Sequence, residues 1–280
     1  MTTETSTGTG TGTGTSPSHR GGWRSDLFNY TRLSSTQLSH YHEQGYLVIK
    51  SLLSTEGRRT MVDECMRAWV SEKGPYDPNA NWLSNALLAN IHHQSQAVRD
   101  YYFNGPLVDI AEQIIGPNLK GVTSQLTFKM RGHTKGFAWH QDNGYGELEP
   151  YNAVTCLTAL EDNDEQTGCL WVLPESHKLG QIRPGLTATQ KLAGHEVVIH
   201  PDESKARPLP LEAGDCLIFS CWMLHKSEGN FSQDKDRRVL FLRYADADAV
   251  EVYNGRQARL GRLVRGHSAY PEVAAFEKDL

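Results

Sequence analysis

The chain has 280 residues, enough for one large domain or two small ones, and 38% of them are hydrophobic, enough for a core. A formal net charge of -5 and the lack of any Lys/Arg-rich run argue against a nucleic-acid partner and a membrane-surface patch. The chain has no apolar run of membrane-spanning length, and its N-terminus lacks the basic start and apolar core of a secretory signal. Five Cys with no C-x-x-C pair read as reduced, mostly buried thiols, so the expected localisation is cytoplasmic and zinc-ribbon or thioredoxin-like sites are unexpected.

Residues 1–22 alternate Thr, Gly and Ser, and such a segment cannot bury enough apolar surface to offset its ordering entropy. The expected organisation is a disordered tail over 1–22 and a single domain over 23–280. Ser34 followed by Gln37 predicts a capping box opening a helix through about Glu43, with Gly45 ending it. Tyr46-Leu47-Val48-Ile49 reads as a buried strand. From Thr55 to Lys73, the residues Met61, Cys65, Ala68 and Trp69 recur at helical spacing. Residues 74–93, rich in Gly, Pro and Asn, read as a long loop. Leu107, Ile110, Ile114 and Ile115 mark a helix stopped by Gly116-Pro117. From about residue 119 short apolar or alternating runs are separated by turn residues. The candidate strands are 121–130, 136–140, 152–160, 168–173, 195–200, 215–220 and 238–245. The expected fold is therefore mainly β with N-terminal helices, a sandwich or barrel of jelly-roll type.

Trp139-His140-Gln141-Asp142 carries the sharpest chemistry. On an extended chain residues i and i+2 share a face, so His140 and Asp142 would supply two thirds of the facial triad that binds non-haem Fe(II). With 12 His and 33 acidic residues, roughly one H-x-[DE] arises by chance, and a second does occur at His200-Pro201-Asp202. The first is preferred because His140 ends an apolar strand and is followed by the turn residues Asn143-Gly144, whereas His200 precedes a Pro and a polar run over 201–208. A third ligand should come from a distant strand. His225 follows the apolar run Cys216–Ser220, and its alternative is a hydrogen-bonded core histidine. Arg237-Arg238 open another apolar strand. A guanidinium fork matches a carboxylate, so one of the two could clamp a dicarboxylate that chelates the metal; the alternative is a surface ion pair with Asp234 or Asp236.

Taken with Tyr145, Asn152 to Leu160, Gly168 to His177, Gly214-Asp215, His225-Lys226-Ser227 and Asn230, these residues resemble the phytanoyl-CoA dioxygenase family of Fe(II)/2-oxoglutarate oxygenases. The similarity runs from about Leu38 to Tyr244. It implies a double-stranded β-helix core, Fe(II) and 2-oxoglutarate as cofactors with O2 as co-substrate, and a small-molecule substrate. It implies that His140, Asp142 and His225 bind the metal. It places Arg237, rather than Arg238, with Ser227 on the far carboxylate of 2-oxoglutarate, and Lys129 and Gln125 near co-substrate or substrate. His177 is expected to be structural. Lys226 departs from the His-Gly-Ser frequent in the family. Because Asp142 is present, the open halide position of related halogenases is not expected. The expected reaction is hydroxylation of an unactivated C–H bond, with desaturation, epoxidation, ring closure or epimerisation as other outcomes on the same iron. Asn143, Tyr145, Trp82 and Arg243 are the candidate substrate contacts, while Trp139, Trp171 and Trp222 are expected in the core. A cupin-like metal-binding sensor and a zinc hydrolase are the competing classes, the second weakened by the absence of H-E-x-x-H.

Overall fold

The computed structural model describes residues 24, 26–75, 82–182, 199 and 201–280, and all but the side chain of Tyr145 within them. The expected tail over 1–22, His200, and the candidate strand 195–200 apart from residue 199 lie outside the described residues.

Local sequence signals build the N-terminal layer. The Ser34 hydroxyl accepts the Gln37 N–H at 3.2 Å while the Gln37 side chain accepts the Ser34 N–H at 2.9 Å, closing the reciprocal box that starts helix α1 (Ser35–Gln44). Gly45, at φ 83, ends it in the left-handed conformation that glycine adopts without steric cost. Strand β1 (Tyr46–Ile49) follows directly. Helix α2 (Thr55–Lys73) is capped by Ser54 and buries Met61, Cys65, Ala68 and Trp69, the face its spacing predicts. The segment read as one loop, 74–93, holds a short strand β2 (Leu87–Ala89) and a 3-10 turn (Ile91–His93). With three residues, β2 has no periodicity of its own; its pairing with the next strand, Leu87 opposite Thr127, makes it a strand. Helix α3 (Gln96–Arg99) runs into a π turn (Asp100–Asn104), and α4 (Pro106–Ile115) stops at Gly116.

The β core follows as β3 (Leu119–Lys129), β4 (Phe137–His140), β5 (Leu148–Glu149), β6 (Val154–Ala159), β7 (Leu170–Val172), β8 (Arg207–Leu209), β9 (Cys216–Ser220), β10 (His225–Ser227) and β11 (Arg237–Asp246). A four-residue helical turn, α5 (Asp142–Tyr145), joins β4 to β5. Strand β8 starts at the end of the polar run 201–208; pairing with β7, Pro208 opposite Trp171, recruits it. Among the described residues the larger sheet runs β1-β9-β6-β11-β3, with β2 beside β3 and a further strand (Arg262–Arg265) on its edge, and a second sheet runs β4-β10-β7-β8. The core strands therefore switch repeatedly between two sheets, which is jelly-roll winding. Beyond the strands legible in the sequence lie β12 (Val250–Glu251), β13 (Gln257–Ala258), β14 (Arg262–Arg265) and helix α6 (Pro271–Ala275).

Strand β11 shows how the two sides divide. Leu240, Leu242 and Tyr244 join the cluster formed with Met61, Tyr101, Leu107 and Ile110 of the helical layer. Val239 and Phe241 belong instead to the cluster between the sheets, with Leu157, Val172, Leu217 and Phe219. Arg237 and Arg243 share the inward register with Val239 and Phe241. All five cysteines are buried and free.

Candidate active site

Strands β4 and β10 pair antiparallel with His140 opposite His225, which brings the two imidazole centroids to 4.1 Å. The extended geometry expected here holds through Gln141, at φ -114 and ψ 140, and ends at Asp142. The chain leaves β4 at His140 and enters α5 at Asp142. Gln141 between them turns aside: its Nε2 donates to the carbonyls of Gly180 at 2.8 Å and Trp222 at 2.7 Å, and its Oε1 accepts the Ile182 N–H at 2.8 Å. These bonds pin the corner, so the Asp142 carboxylate still meets the histidines. Asp142 Oδ1 lies 3.9 Å from His140 Nε2 and 3.5 Å from His225 Nε2, and the three ligand atoms fall within 4.8 Å of one another.

The opposite ring nitrogens fix the tautomers. His140 Nδ1 is 2.7 Å from the Ala138 carbonyl and His225 Nδ1 is 3.0 Å from the Met223 carbonyl. A carbonyl only accepts, so each ring carries its proton on Nδ1 and directs the Nε2 lone pair to the shared centre. Burial, and next the facing His225, pull the His140 imidazole well below its usual range, so it is neutral at pH 7. Burial pushes the Asp142 carboxyl up, but His225, Arg243 and His140 outweigh it and hold it ionised. The Thr155 hydroxyl on β6 donates to Asp142 Oδ2 at 2.5 Å. Two imidazoles and a carboxylate, each oriented by a further hydrogen bond, fit the donor set of non-haem iron(II).

Next to this centre lie two buried basic side chains, Arg237 and Lys129. Arg237 is 2% exposed, and its Nε has no hydrogen-bond partner. No acidic side chain among the described residues pairs with it. Burial pulls it down only to about 10, so it stays charged. Lys129 sits opposite Arg237 on β3 and is fully buried. It donates to Ser227 Oγ at 2.8 Å and to the Glu228 carbonyl. Burial, and next the Arg237 charge, lower it to about 6. Ser227 is two residues beyond His225 on the same strand, which links this basic pair to the histidine-aspartate group. Arg238 has the opposite face: it pairs with Glu161 and with Asp236.

Gln125 shares the inward register of β3 with Lys129 and lies opposite Phe241. Asn143 is buried, and its Oδ1 accepts from Arg243 Nη2, joining two of the candidate substrate contacts beside Asp142. Trp82 packs on Phe137 with centroids 5.1 Å apart and on His133 at 6.0 Å, at the start of β4 rather than at its His140 end. The backbone of Tyr145 lies in α5, and its side chain is outside the described residues. Trp139 and Trp222 are buried in separate clusters, and Trp171 packs against that of Trp139. Lys226 alternates outward between His225 and Ser227, pairs with Glu203 and Glu228, and lies over the Trp139 and Trp171 rings. The departure from the family's sequence thus falls on the face of β10 away from the site. His177 Nε2 donates to the His42 carbonyl at 3.0 Å, fastening its turn to α1.

Residues 41–239 match the phytanoyl-CoA dioxygenase (PhyH) family. The chain belongs to this family. Among curated relatives, a phytanoyl-CoA dioxygenase from Bos taurus is 29% identical over 85% of this chain and 77% of its own length. A methylphosphonate hydroxylase from Gimesia maris is 26% identical over 82% and 88%. Among solved structures, the non-heme alpha ketoglutarate dependent carbocyclase SnoK from nogalamycin biosynthesis superposes with a TM-score of 0.65 at 23% identity, covering 84% of this chain and 94% of its own. That likeness establishes the double-stranded β-helix core. As a PhyH member the chain is a non-haem iron(II) and 2-oxoglutarate dioxygenase.

Thr155 and Gln141 are functional residues that the sequence does not single out. Gln141 was visible inside the Trp-His-Gln-Asp motif, between two ligand types. Thr155 had no such signal, since it reaches Asp142 only through the pairing of β6 with β9 and β11.

Proposed function

We propose that this PhyH dioxygenase hydroxylates an unactivated C–H bond of a small molecule, a biosynthetic intermediate, converting 2-oxoglutarate and O2 to succinate and CO2. His140, Asp142 and His225 hold the iron(II), Arg237 and Ser227 bind the far carboxylate of 2-oxoglutarate, and Lys129 and Gln125 complete that pocket. The observation that carries this reading is Arg237, a fully buried guanidinium with no carboxylate of its own beside a neutral-poised lysine. A metal-holding sensor has no use for such a clamp, because an unpaired buried charge is costly unless a ligand supplies its partner.

Each chain residue then has a physical task. The carbonyls of Ala138 and Met223 keep the two Nε2 lone pairs aimed inward, and Thr155 holds the Asp142 carboxylate in the same centre. The bound iron supplies the redox chemistry that couples 2-oxoglutarate decarboxylation to oxygen reduction. Asn143 and Arg243, locked together beside Asp142, orient the substrate, with Tyr145 and Trp82 as further contacts. The name of the Gimesia maris relative supports both hydroxylation and a small-molecule substrate.

Anaerobically loaded enzyme exposed to oxygen with candidate substrates tests the reading. Succinate release coupled to a product heavier by one oxygen supports it. A product lighter by two hydrogens replaces hydroxylation by desaturation or ring closure. Absence of succinate under every condition, with metal bound, returns the sensor reading.

A further inference from the structure

Outside the space between the sheets, a second set of metal-ligating side chains converges. His92 and His93 close the 3-10 turn before α3, and Glu277 lies beyond α6. His92 Nε2 is 3.1 Å from Glu277 Oε2, and His93 Nε2 is 2.8 Å from Glu277 Oε1. The three ligand atoms lie within 4.8 Å of one another, and the imidazole centroids are 4.3 Å apart.

Both sides of the group are held in place. His92 Nδ1 is 2.5 Å from the buried Ser124 hydroxyl on β3, which sets the ring and can accept its Nδ1 proton, leaving Nε2 to a ligand. Glu277 sits at φ 49, a left-handed conformation uncommon for a residue with a side chain. Arg262 on β14 donates to the Glu277 carbonyl at 3.1 Å and lies over the Phe103 ring, so the strained backbone is gripped from the sheet. The cluster opens on a cavity of about 430 Å³ that Asn90, Tyr102, Glu251 and Arg259 also line. This mixed polar and apolar cavity leaves room beside the three gathered ligands for a water in a fourth position.

We propose that His92, His93 and Glu277 form a second metal site, separate from the iron centre, that takes a borderline divalent cation such as zinc(II). Two imidazole nitrogens and one carboxylate oxygen suit that ion, which binds such donors with a water completing four-coordination. The ion would fasten the C-terminal segment to the turn before α3, and through Ser124 to the strand that carries Gln125 and Lys129. A metal that binds the folded chain and not the unfolded one stabilises it by mass action.

The full chain, stripped by chelation and dialysed against zinc(II) alone, gives the test by metal content. Two equivalents per chain are expected for wild type, and one for His93→Ala and for Glu277→Gln. His140→Ala/His225→Ala should keep one equivalent and gain thermal stability on zinc addition. Should that double variant fail to fold, wild type against His93→Ala suffices, because the His93 ring is partly exposed and its loss leaves the core intact. His93→Ala binding as much zinc as wild type, whether that is one equivalent or two, means that the two imidazoles merely hydrogen-bond one carboxylate, and overturns the proposal.

Discussion

Arg237 and Lys129 face each other across β11 and β3 with no carboxylate between them, an arrangement that opposes folding and favours a dianion. Replacing Arg237 with Ala should therefore separate binding from stability. The KM for 2-oxoglutarate should rise roughly 10- to 100-fold, the loss of one or two charged hydrogen bonds, while ligand-free stability holds or increases. Steady-state succinate release and urea denaturation measure the two sides; a clear drop in ligand-free stability without a change in KM would make the residue purely structural. Lys129 adds a pH dependence. Its folded value of about 6 lies below the ordinary 10.5, so between those values the unfolded chain holds one more proton. Stability from this group therefore rises with pH across that window, and below about 6 the full penalty remains. Denaturation at pH 6.5 and 9 should show that rise in wild type and a smaller one in Lys129→Met.

At the scale of elements, the site depends on how closely β4 approaches β10. Gly136, just before β4, has no room for a Cβ, which would meet the backbone of Ser227 and Glu228. Gly136→Ala should push the two strands apart, separate His140 from His225, and cost about 1–3 kcal/mol as overpacking does. Urea unfolding and iron content should fall together; unchanged iron affinity would show that the strand spacing is not what assembles the centre. The elements that could be read from the sequence are those that carry their own signal. The Ser34/Gln37 box, the α2 face and the apolar runs of β3, β6, β9 and β11 are of this kind. Strands β2, β8 and β12 to β14 are two to four residues long and exist through their partners, so periodicity has nothing to register. The convergence of His140 and Asp142 is legible because Gln141 between them is extended, whereas the turn into α5 and the Gln141 bonds that pin it depend on the distant carbonyls of Gly180 and Trp222.

For the molecule as a whole, the helical layer covers one face of the larger sheet and leaves the space between the sheets for chemistry. No helix among the described residues is long and apolar enough to cross a membrane. The ligand types and the basic strand opening were visible in the sequence because motif residues crowd onto β4, β10 and β11. The second histidine-glutamate cluster was not, because Glu277 stands 184 residues from His93 and only the packing of the C-terminal segment joins them. We propose that His140, Asp142 and His225 bind iron beside a 2-oxoglutarate pocket built on Arg237. The most direct test of that claim is the visible spectrum of metal-free protein titrated anaerobically with Fe(II) and then 2-oxoglutarate. A weak charge-transfer band that needs both additions, and is lost in His225→Ala and in Arg237→Ala, is the predicted result. Protein that binds Fe(II) yet gives no band with 2-oxoglutarate, or a band unchanged in both variants, would contradict it.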